Sequence, residues 1–106
     1  MRITFLANNK KWGGLTNNGG SRTVICSSIE LRNLGHGVDI VACNDRHTWI
    51  PHPPVKKQIN PSTTHLVAVS ISDVADIMKQ KLYQKYDCFY WARPAEITTK
   101  AQRWQI

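Results

Sequence analysis

A single order of segments repeats along this chain and restricts its fold more than any other feature. Short apolar runs recur, each followed by a polar stretch that leads on to the next element. The runs are RITFLA (2–7), VDIVAC (38–43), HLVAVS (65–70) and YDCFYWA (86–92). Apolar residues fall on both parities of these runs, as in strands buried on both faces. Two segments between them carry helical spacing. In the first, Ser21 is placed as N-cap. Val24, Ile25, Ile29, Leu31 and Leu34 then form one apolar side, and Gly35 is the stop, with Gly37 close behind. In the second, Ser70 and Asp73 stand at capping-box spacing before Val74, Ile77, Met78 and Leu82. Asp73 and Asp76 open that helix, and Lys79 and Lys81 lie in its later part, the order that the helix dipole favours.

Strand, helix and strand over residues 2–43 suit a right-handed parallel crossover. The expectation is therefore an α/β, Rossmann-like three-layer domain with a mostly parallel sheet of four to five strands. At 106 residues, one domain spanning 1–106 is expected. Residues 44–64 break the rhythm with four of the five prolines, and VKKQI within them reads as a brief strand. Arg93 and Pro94 end the last run. In the tail, Ile97, Ala101 and Trp104 recur at helical spacing, and that pattern stops after barely three turns.

In open parallel sheets, ligands bind beyond the carboxyl ends of the strands. Four segments fall there: NNKKWGGLTNNGGSR (8–22), NDRHTW (44–49), SISD (70–73) and ARPAE (92–96). The first holds four of the six glycines and enters a helix N-terminus, where unpaired N–H groups attract anions. Its candidate phosphate- or substrate-binding residues are Gly13, Gly14, Gly19, Gly20, Ser21 and Arg22. Neither the Walker ending Gly-Lys-Ser/Thr nor the dinucleotide pattern G-x-G-x-x-G is present, which argues against nucleotide hydrolysis and hydride transfer.

His47, beyond the second strand and beside Asp45, Arg46 and Thr48, is the candidate acid, base or sugar-hydroxyl ligand. His52 and His65 have no metal-ligand spacing with it, so no metal is expected. Neither is a bound cofactor. His36 in LGHG belongs to a turn, and Ser70 and Ser72 read as helix caps rather than nucleophiles. Trp12, Trp49 and Trp91 fall at or near the proposed rim, where aromatic faces suit sugar rings or bases, or serve packing.

The net charge of +7 favours anionic partners, but the lysines are dispersed and form no specific nucleic-acid motif. No apolar run approaches the roughly 20 residues that cross a bilayer. Cys26, Cys43 and Cys88 read as reduced, buried thiols, which places the chain in the cytoplasm.

The order MRITFLANN…WGGLTNNGGSR, LRNLGHGVDIVA, DRHTW, HLVAVSISD and FYWARPAE resembles the N-terminal half of GT-B glycosyltransferases, in particular the large retaining family 4-like group. The resemblance covers nearly the whole chain. It implies a domain that holds the acceptor and brings its glycine loop, here Gly13, Gly14, Gly19 and Gly20, towards the diphosphate of a nucleotide-sugar donor. His47 would face the sugar. The donor-binding domain has no counterpart in these residues, so the expectation is an N-terminal domain or fragment, inactive alone, whose donor and acceptor sites are completed by a second domain. An apolar face left where that domain would sit predicts a homo-oligomer. Two alternatives remain: a non-catalytic Rossmann-type phosphate or small-molecule module, and a nucleic-acid binder working through the basic charge.

Overall fold

Each of the four apolar runs forms a strand, and the strands lie parallel in one sheet. The computed structural model describes residues 1–8, 14–17, 19–52 and 54–91. Its elements are β1 (Arg2–Leu6), α1 (Gly19–Asn33), β2 (Gly37–Val41), β3 (His65–Ala68), α2 (Ile71–Lys79), a 3-10 turn (Leu82–Gln84) and β4 (Asp87–Tyr90). The sheet order is β2-β1-β3-β4. Register runs from Ile3 opposite Val38 on one side of β1 to Ile3 opposite His65 on the other. The chain thus winds outward from β1 in both directions, and the switch point lies between β1 and β3. The tail pattern of Ile97, Ala101 and Trp104 lies outside the described residues.

Alternate residues of the strands feed two cores. Ile3, Phe5, Val38 and Ile40 pack with Val24 and Ile25 of α1. Leu6, Val41, Leu66 and Ala68 pack with Ile77 of α2 on the opposite face. The apolar stripe of α1 differs from the expected one. Ile29 and Leu34 are exposed, and the buried face is Ser21, Val24, Ile25 and Ser28. Ser28 can be buried because its hydroxyl donates to the Val24 carbonyl at 2.8 Å. Met78 of α2 is likewise exposed, while Ile77 is buried and Val74 and Leu82 pack partly against it.

Gly35 does end α1. Its φ is +93°, its N–H donates to Arg32, and the N–H of His36 donates to Leu31, which is the Schellman pattern. Nothing lies within 4 Å of where a Cβ would stand. Gly35→Ala is therefore expected to cost only the left-handed backbone penalty, about 1 kcal/mol, in urea unfolding.

The long 44–64 connection wraps the outer edge of β2. Lys56 pairs with Val41, so VKKQI contributes a one-residue bridge rather than a strand. Ile50 and Val55 pack towards the α1 core and Ile59 towards the α2 core. This wrapping covers an edge that would otherwise expose its ladder of N–H and C=O groups. The cysteines are less buried than expected: Cys26 is exposed, Cys43 and Cys88 are half-buried, and all three are free.

Candidate functional site

At the carboxyl edge the glycine loop is clamped. The Leu15 N–H donates to Asn44 at 3.0 Å, and the Arg46 N–H donates back to Leu15 at 2.8 Å. Leu15 pairs with Asp45 as an isolated parallel bridge, and its side chain is fully buried. Asn17 and Thr48 close the next step reciprocally, amide to hydroxyl and N–H to amide oxygen. Gly14 is the hinge that allows this approach. Its φ is +80°, and a Cβ there would stand 2.8 Å from both the N and the O of Asn44. Gly14 is thus required by the neighbouring backbone of its own chain.

The same clamp seats His47. The residue is 6% exposed, and its Nδ1 lies 2.7 Å from the Thr16 carbonyl. A carbonyl can only accept, so Nδ1 carries the hydrogen and Nε2 is left as the lone-pair nitrogen of the neutral ring. That Nε2 is buried and has no hydrogen-bond partner. Trp49 packs edge-on at 5.6 Å between ring centroids and is itself exposed, and His52 stands at 6.0 Å. His52 is paired with Asp45 at 3.0 Å.

Ser21 corrects its assignment as N-cap. Helix α1 begins at Gly19, so Ser21 is the third helical residue, and its buried hydroxyl accepts from the Thr16 N–H at 3.1 Å. Its oxygen thus reaches back to the loop. Gly19 and Gly20 start the helix, and Arg22 is exposed beside them. No acidic side chain stands in this first turn. Gly13 and Trp12 lie outside the described residues, as do Arg93 and Pro94.

The other helix N-terminus at this edge is closed by its own chain. Ser70 caps α2, and Asp73 completes the capping box as the spacing implied. Asp73 is fully buried; its Oδ2 accepts from the N–H and hydroxyl of Ser70, and its Oδ1 accepts from the Asn8 N–H at 2.8 Å. Burial pushes its pKa above the ordinary carboxylate value, and the charge of Asp76 adds to this. The hydrogen bonds from Ser70 and Asn8 oppose the shift without cancelling it. The contact to Asn8 bolts the exit of β1 to α2 across the switch point.

Comparison with protein-family models, curated proteins and solved structures returned no match. The arrangement itself therefore carries the functional reading. The described edge brings together Gly14, Thr16, Gly19, Gly20, Ser21 and His47. Trp91, just past the carboxyl end of β4, packs against Phe5 with ring centroids 5.8 Å apart and also lines a small pocket with Gly20 and Thr23. Among the described residues, no three His, Cys, Asp or Glu side chains gather to hold a metal ion, and no helix is long and apolar enough to cross a membrane. Leu15 and Asn8 had no signal in the sequence. Leu15 is one apolar residue in a polar loop, and Asn8 acts through its backbone.

Proposed function

We propose that this chain is the acceptor-side domain of a nucleotide-sugar-dependent glycosyltransferase, contributing one wall of a cleft that a second domain completes. The observation that carries the reading is the junction of the β1–α1 loop with the β2 exit, where His47 presents a buried and unpartnered Nε2. A neutral imidazole held by its Nδ1–H can accept a hydrogen bond from a sugar hydroxyl, or take its proton, at Nε2. Trp49 and His52 are the rings packed beside it, so a ligand would reach that nitrogen only with a shift of its cover. Of the two helix N-termini at the edge, α2 is already served by Asp73, whereas α1 has no acid in its first turn. A diphosphate is therefore favoured at α1.

Calorimetric titration of the chain with nucleotide sugars and with inorganic pyrophosphate tests this. Weak binding is expected, with Kd of about a millimolar, since this domain would supply one wall of the cleft. His47→Gln is expected to weaken nucleotide-sugar binding by roughly tenfold while leaving pyrophosphate binding unchanged. Absence of heat with every nucleotide sugar, or indifference to the His47 substitution, would contradict the reading.

A further inference from the structure

A second cleft lies on the α2 face of the sheet, away from His47. Its volume is about 310 Å³, at the small end of ligand pockets. The floor is apolar, with Leu6, Val41 and Ile59. The walls are polar: Asn8 at the exit of β1, Gln58 on the wrapping loop, and Asp76 and Gln80 on α2, with Tyr86 at one end. One wall is anchored, since the Lys57 ammonium donates to the Cys43 carbonyl at 2.6 Å.

The wall chemistry selects a ligand. Gln58 and Gln80 each both donate and accept, as hydroxyl groups do, and the Asp76 carboxylate can accept from two adjacent hydroxyls. The apolar floor and the Tyr86 ring suit the C–H face of a saturated ring. An anion is disfavoured, because Asp76 is in the wall and the Lys57 ammonium is engaged with Cys43. We infer that this cleft binds a small polyhydroxylated ring, a monosaccharide or cyclic polyol. This goes beyond the reading above, because it needs neither a nucleotide nor a second domain.

The test is a titration of the ¹⁵N-labelled full chain followed by amide NMR. The probes are methyl glucoside and myo-inositol, with inorganic phosphate as the contrast. At least one of the two polyols is expected to shift the side-chain amide signals of Asn8, Gln58 and Gln80, saturating with a Kd of about a millimolar. Phosphate is expected to leave them in place. Gln80 is exposed, so Gln80→Leu should fold normally and weaken polyol binding by roughly fivefold. Gln58→Leu, likewise at an exposed position of the lining, is expected to weaken polyol binding to a similar extent. His47→Gln should leave the polyol shifts unchanged, which separates this cleft from the glycine-loop site. Failure of both polyols to shift these signals, shifts produced by phosphate, wild-type affinity in Gln80→Leu, or loss of binding in His47→Gln would each overturn the inference.

Discussion

Gly14→Ala is expected to destabilise the protein by about 2–5 kcal/mol, the sum of a left-handed backbone penalty and an overpacking cost. The first contribution follows from φ of +80°, which an L side chain rarely adopts. The second follows from the two backbone atoms of Asn44 that lie 2.8 Å from the new Cβ. Backbone cannot swing aside as a flexible side chain would, so the loop must move. Moving it breaks the two Leu15 backbone hydrogen bonds and lifts a fully buried Leu15 out of the core. Gly35→Ala is the internal control, because it shares the positive φ but meets open space. Urea unfolding of both variants should therefore differ by about 1–3 kcal/mol, and hydrogen exchange should show the Leu15 and Arg46 amides losing protection only in Gly14→Ala. Equal costs in the two variants would mean that the loop yields at no expense, and the clamp would not be the reason for the glycine.

Replacement of Asp73 by Asn is expected to cost about 2–4 kcal/mol at neutral pH. The carboxylate accepts from Asn8 and Ser70 through both oxygens, and an amide offers only one acceptor. Its NH2 group would face a backbone N–H in a site that water does not reach. The pH dependence has a definite sign. Burial raises the Asp73 pKa above its ordinary 3.8, so the folded chain takes up a proton before the unfolded chain does. Stability contributed by this group therefore grows as pH falls through the folded pKa towards 3.8, and is level below that. The wild-type advantage over Asp73→Asn should widen across that window in urea unfolding at successive pH values. An advantage that narrows on acidification would show the ionised form to be the favoured one.

These two effects mark where sequence reasoning reached and where it stopped. The Asp73 cap was legible because Ser70 and Asp73 are three residues apart, and a capping box is a local hydrogen-bonded device. Its long-range partner Asn8 was not legible, because a backbone N–H leaves no trace in residue type. The four strands could be read from apolar runs on both parities. The buried face of α1 could be read only in part. Ser21 and Ser28 fill it where small size matters more than polarity, and Ile29 and Leu34 are left outside.

The glycine loop divides in the same way. Its place between the first strand and the first helix follows from chain order alone, and so does the role of Gly35, since a helix stop is local. The reason for Gly14 depends on Asn44, thirty residues away, and on the parallel pairing that brings β2 beside β1. Tertiary packing likewise buried His47 against the Thr16 carbonyl and freed its Nε2. Periodicity and capping are written in neighbours along the chain, so the order of residues determined the α/β architecture. Close approach between distant backbones is decided by sheet register, and so the candidate site became visible only in the folded molecule.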